Sequence, residues 1–227
     1  GVVKQAEALA GRMHLSAEDT DLARLIALLH DIGRFEQLKR YDSFEPGTMD
    51  HAAYGVKVLF DEGMIRRFLP DDKWDSIIYT AIAHHSDYEL PEISDPQTLL
   101  HAKLIRDEDK LDNCRVKLVD STSTFINVSE EELGTQNITQ KVYETVFENK
   151  CILSADRVTQ MDYWVSYIVY FFDINFKESF DIIAENDYLN RIIDRISYSN
   201  PVTKEQMEKI RTYMQNFINS HTNSQSF

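Results

Sequence analysis

Apolar residues recur three and four positions apart along almost the whole chain, the spacing that lines one face of an α-helix. Val2, Val3, Ala6, Leu9 and Ala10 form a first stripe, and Leu22, Leu25, Ile26, Leu28 and Leu29 a broader one suited to burial on most sides. Ser16 ahead of Ala17-Glu18-Asp19 predicts an N-cap with an acidic third position for the second helix. That helix is expected to falter near Gly33, because glycine is the poorest helix former after proline, and Tyr41 to Gly47 reads as a loop. Thr48 is expected to cap a helix through Asp61 that ends at Gly63. The next helix is expected after Pro70, with Asp71 and Asp72 at its positive end, and to run to about His85.

Pro91 and Pro96 bracket a loop, after which Leu99, Leu100, Leu104, Ile105 and Leu111 share one helix reaching about Val119. Ser121 to Thr139 is polar and rich in Ser and Thr, which suggests a connecting loop with little regular structure. Helices are then expected at Val142–Phe147, at the aromatic stretch Asp156–Phe172, at Phe180–Ile196 and after Pro201, where Met207, Ile210, Met214, Phe217 and Ile218 keep the stripe. A frayed polar tail is expected from Thr222 onward. With 7 Gly and 5 Pro there is little material for the tight turns of a β fold. The expectation is therefore all-α: a helical bundle over residues 1–120 and a C-terminal helical extension over 121–227, packed on it as one domain.

Charge narrows the partners. The chain carries 24 Lys and Arg against 38 Asp and Glu, a net −14, which repels phosphate backbones and anionic lipid at long range. We therefore expect no nucleic-acid partner and no membrane partner, and the apolar run Tyr163–Phe172 is too short for the ~20 residues a helix needs to cross a bilayer. Cys114 and Cys151 have no C-x-x-C or Cys/His finger spacing and read as free thiols of a reducing compartment. Together with the absence of a secretory signal pattern at the start, this predicts a cytoplasmic location. The chain begins at Gly1 and not at Met, so further residues are expected upstream.

Histidines and acids cluster in sequence: His30-Asp31, Asp50-His51, His84-His85 and the run Asp107-Glu108-Asp109-Lys110-Leu111-Asp112. Each group lies at or near the end of an apolar helix, where a charged side chain is costly to bury without a partner, and a shared metal is an economical one. Imidazole with carboxylate suits first-row divalent metals, and the two oxygens of Asp31 are able to bridge two ions. Asp107 and Asp109 point in roughly opposite directions on a helix, whereas Asp109 and Asp112 share a face; Asp109 is taken as the inward ligand. Asp107 and Asp112 are expected at the helix surface or as capping groups, with Lys110 a solvated partner for a neighbouring carboxylate. The aromatic positions from Tyr163 to Phe172 are assigned to packing, and His14, His101 and His221 to no role.

The string Leu28-Leu29-His30-Asp31-Ile32-Gly33-Arg34, with His51 in an H-x-x-x-G context, His84-His85 and the late Arg106 to Asp112 run, resembles the HD-domain superfamily of metal-dependent phosphohydrolases over about the first half of the chain. The resemblance implies a helical bundle in which His30 and Asp31 ligate metal, Asp31 bridges and Asp109 closes the first site. It also implies His51 and His84 as the extra histidines of the binuclear branch, with His85 a further ligand or a substrate contact. One or two divalent ions per chain are implied, the identity open among Mn, Fe, Mg, Ni and Zn. In the sub-branch that cleaves cyclic dinucleotides a Lys three residues after the Asp contacts phosphate; Arg34 occupies that position and suits a bidentate grip. A further His that such domains contribute from their first helix would fall just before Gly1, and His14 is too close to His30 to replace it. The implied activity is hydrolysis of a small phosphorylated metabolite or nucleotide, with Asp31 and Arg34 catalytic. The alternatives are a di-iron oxygenase of the same fold and a non-catalytic HD-fold binding domain.

Overall fold

The computed structural model describes residues 1–42 and 48–222. Parts of the loop expected over Tyr41–Gly47 and of the tail expected from Thr222 thus lie outside the described residues, which form helices and turns with no strand among them. The chain divides into two compact units, Gly1–Asp109 and Lys110–Phe227.

In the first unit α1 (Val2–Arg12) packs on α2 (Ala17–Leu29) through Ala6, Leu9 and Ala10 on one side and Leu22, Ile26 and Leu29 on the other, all buried. Ser16 caps α2 as its sequence predicts, its Oγ accepting from the Asp19 amide at 3.0 Å. The helix stops at Leu29, short of Gly33, and a tight turn leads into α3 (Arg34–Tyr41). Gly33 is where backbones meet: a Cβ there would lie 2.0 Å from the His51 carbonyl oxygen and 2.8 Å from the Gly55 nitrogen. Close approach, more than helix propensity, is what this glycine provides.

Helix α4 (His51–Val56) begins two residues later than expected, because Asp50 and not Thr48 is its cap. The Asp50 carboxylate accepts from the Ala53 amide at 2.9 Å, while the Thr48 hydroxyl accepts from Gln37 Nε2 at 2.8 Å. The helix widens into a π turn at Lys57–Asp61, and Gly63 ends it at φ +75°, a left-handed conformation natural to glycine. Helix α5 (Asp75–Ala83) starts after Trp74, later than Pro70 suggested, and packs on α2 and α4. Helix α6 (Pro96–Val119) takes Pro96 into its first turn, where a missing N–H costs nothing, with the Asp95 carboxylate accepting from the Thr98 amide at 2.7 Å. Half-buried Gln97 and buried His101 on α6 both reach Asp19 on α2, at 2.8 and 3.2 Å.

Among the described residues, the second unit adds seven further α-helices to the end of α6. The expected loop Ser121–Thr139 contains two short ones, α7 (Thr122–Phe125) and α8 (Glu130–Thr135), the latter capped by Ser129 with three glutamates in its first turn. Short capped turns of this kind carry too few apolar positions to show a helical period. After α9 (Gln140–Val146), α10 (Gln160–Val169) opens with a capping box between Thr159 and Asp162, and the fully buried Asp162 also accepts from the Thr139 and Val158 amides. Trp164 and Phe171 are buried, the packing role expected of that aromatic stretch. The single helix expected over Phe180–Ile196 is two, α11 (Lys177–Glu185) and α12 (Tyr188–Asp194), broken at Asp187 with φ +50°. Helix α13 (Pro201–Thr222) packs on both, burying Met207, Ile210, Met214 and Ile218. Cys114 and Cys151 are both free; burial pushes the Cys114 thiol up to about 12.

Candidate metal centre

Four chain segments bring their polar ends together in the first unit. His30 sits at the C-cap of α2, Asp31 one residue on, His51 at the start of α4, His85 just past α5, and Asp109 in the middle of α6. The apolar run of each helix fills the core, so the residues that end the run are left at one end of the packed set.

His30 is buried, and its Nδ1 lies 2.9 Å from the Ala27 carbonyl. His85 is buried likewise, with Nδ1 2.7 Å from the Ile82 carbonyl. A carbonyl only accepts, so each Nδ1 carries a proton, and the Nε2 of each ring is left to face the cluster. His30 Nε2 then lies 3.6 Å from Asp31 Oδ2 and 3.8 Å from Asp109 Oδ1. It has no hydrogen-bond partner among the described residues. Across Asp31, Oδ1 lies 3.4 Å from His51 Nε2 and 3.6 Å from His85 Nε2, and those two nitrogens are 3.1 Å apart. Ligand atoms of His30, Asp31 and His85 all fall within 4.8 Å of one another. An orphaned buried imidazole nitrogen facing two carboxylates is a donor set that a divalent ion fits.

Charge is tuned to match. Burial pushes the Asp31 carboxyl up, but the His85 hydrogen bond and the charges of His30, Arg34 and His85 outweigh it and hold Asp31 well below the usual carboxylate range. Asp109 behaves alike: burial raises it, and His30 and His85 pull it lower still. His51 is lowered to about 4, by burial first and then by Arg34 and His85, which keeps it neutral and ready to ligate. His30 is raised, the two carboxylates and the Ala27 carbonyl overcoming its burial.

Arg34 donates from Nε to Asp31 Oδ1 at 3.0 Å and from Nη1 to Gln37 Oε1 at 3.3 Å, and the buried Gln37 in turn donates to Thr48. His84 takes another direction: its Nδ1 lies 2.6 Å from Asp87 Oδ2, and its side chain is about one-third exposed, at 34%. The structure thus brings His85, not His84, to Asp31 and His51. Asp107 and Asp112, expected at the surface, are buried, Asp112 against Arg115 at 2.7 Å. Lys110 is not solvated either, and pairs with Asp173 at 2.6 Å. Glu108 is buried with neither carboxylate oxygen hydrogen-bonded among the described residues; burial, then Asp107 and Asp109, push its carboxyl well above the usual range.

The family profile described as HD domain matches residues 1–114. The chain belongs to the HD domain family. Comparison with curated proteins and with solved structures finds no match. HD domains bind divalent metals and are commonly metal-dependent hydrolases, and the His30, Asp31 and His85 cluster is where such an ion fits in this one. No helix among the described residues is long and apolar enough to cross a membrane.

Two residues that contact the carriers of this HD site are given no role by the motifs. Gln37 is three residues from Arg34, on one face of α3, and Arg106 three residues from Asp109, on one face of α6. Spacing from the candidate residues is the signal that would have found both.

Proposed function

We propose that this HD domain hydrolyses a phosphoester of a small metabolite or nucleotide. The observation that carries the reading is Arg34, a cation hydrogen-bonded at 3.0 Å to the same carboxylate that joins the histidines. A divalent ion held by His30, Asp31, Asp109 and His85, with His51 beside them, would supply Lewis acidity and bring the pKa of water near neutrality.

The chain's own residues do the rest. Asp31 stays ionised at neutral pH and divides its oxygens, Oδ2 toward His30 and Oδ1 toward His51 and His85. Arg34, steadied by Gln37, neutralises charge that gathers on the phosphate oxygens. Neutral His51, beside Asp31 and His85, is suited to accept a hydrogen bond or a proton during hydrolysis. The net charge of −14 disfavours a polynucleotide track and leaves a small substrate as the fitting class. An oxygenase on the same ligands has less use for a fixed arginine.

The test is elemental analysis of protein purified without added metal or chelator, followed by a phosphoester screen with the metals found. Stoichiometric metal with turnover that falls in Arg34→Ala is the expected result. Metal with no phosphoester turnover on any substrate class would sink the hydrolase reading, and no metal uptake at all would sink the enzyme.

A further inference from the structure

Arg106 is 2% exposed, unusual burial for a permanently charged side chain. Its Nη1 donates to the carbonyl oxygens of Asp87 at 2.7 Å, His84 at 3.0 Å and His85 at 3.4 Å, and its Nη2 to that of Tyr88 at 3.4 Å. All of these acceptors are main-chain carbonyls of the single turn that follows α5 and carries His85. A buried guanidinium is tolerable only when it is well partnered, and here both Nη groups donate to the negative end of a helix and the turn beyond it. The planar fork reaches several carbonyls at once, which an ammonium cannot do.

The same arginine is on α6, three residues before Asp109, so both project from one face of one helix. Asp109 lies against His30, and His85 against Asp31 and His51. Arg106 therefore ties the turn bearing one half of the cluster to the helix bearing the other. His85 has one local restraint of its own, the Ile82 carbonyl, which fixes the ring but not where the turn stands relative to α6.

We propose that Arg106 is a positioning residue of the metal centre: it clamps the turn after α5 to α6 and so sets His85 against Asp31. The inference rests on the metal-centre reading above. It makes Arg106 an outer-shell partner of His85, a class of residue whose loss costs about 10- to 100-fold in metal affinity.

The experiment titrates the full chain with Co²⁺ alone, following the visible absorption of the bound ion, for wild type, Arg106→Lys, Arg106→Gln, His85→Ala and the double variant Arg106→Lys with His85→Ala. The expected result is affinity about 10- to 100-fold weaker in Arg106→Lys, and a double variant no weaker than His85→Ala alone, because the arginine acts through that histidine. Three results would overturn it: unchanged affinity in both Arg106 variants; an Arg106→Lys loss as large in the His85→Ala background as in wild type; or loss of the helical circular dichroism in both Arg106 variants, which would make the arginine a requirement of folding. No Co²⁺ uptake by wild type would instead sink the metal-centre reading itself, while normal uptake with undiminished affinity in the variants would sink only the role of Arg106.

Discussion

His30 Nε2 and Asp109 Oδ1 lie 3.8 Å apart, one at the end of α2 and the other inside α6. They come from different helices, and the pair exists because both helices bury apolar faces in one unit. Since the nitrogen has no hydrogen bond among the described residues, the pair is held at a distance that an ion between them would close. Replacing Asp31, which faces the same nitrogen, with Asn should lower metal affinity by more than about 100-fold, beyond the loss typical of an outer-shell partner. Metal content after gel filtration checks this, and full occupancy in Asp31→Asn would remove the assignment.

Arg34 should separate binding of substrate from binding of metal. Arg34→Ala is expected to keep its metal and lose about 10- to 1,000-fold in kcat/KM on phosphoesters, the scale seen when one preorganised charge donor is removed. Arg34→Lys should recover part of it, since an ammonium keeps the charge without the fork. Unaltered kinetics in Arg34→Ala would assign the arginine to structure alone.

The adjacent histidines give a sharp contrast. His85→Ala should lower metal affinity at least about tenfold, whereas His84→Ala, which removes a partner of Asp87 at the surface, should bind metal as wild type does. The reverse order, measured by the same titration, would mean that the turn after α5 presents the other ring to the ion.

Gly33→Ala places a Cβ 2.0 Å from the His51 carbonyl oxygen, a backbone atom that cannot swing aside. Overpacking of this kind costs about 1–3 kcal/mol or more. Because the displaced segment carries His51, urea denaturation should show lower stability together with weaker metal binding. Stability equal to wild type would show that α4 shifts freely.

His101 is buried against Asp19, and its burial outweighs the pull of that carboxylate, so its folded pKa is lowered from 6.5. The unfolded chain then takes up the proton first as pH falls through 6.5, and stability is lost below that pH, by at most about 1.4 kcal/mol per pH unit for one proton. Asp19, itself lowered from 3.8 by Ser16 and Gln97 foremost, adds stability above that value and loses it only in stronger acid. Denaturation midpoints between pH 7 and pH 5 should therefore fall less steeply in His101→Gln than in wild type; identical slopes would place the sensitivity elsewhere.

The all-α class, the Ser16 cap, the long α6 and the last helix are legible in the sequence because each is a local matter: a hydrophobic period, a capping side chain, a proline at the first turn. So were the residue types of the site, since His-Asp pairs at the ends of apolar helices announce a partner. Short helices such as α7 and α8, and the split between α11 and α12, were hidden because few apolar positions or a single left-handed residue decide them. Which histidine of an adjacent pair turns inward was hidden too: neighbours on a helix diverge by about 100°, and only the packing of α5 on α2 and α4 decides which ring meets Asp31. The sequence by itself thus determined the long helices and the residue types at their ends. The tertiary structure decided that His30, Asp31, His51, His85 and Asp109 converge, and that Arg106 spans the gap between two of their carriers, because distances between helices are set by side chains packing far from the motif.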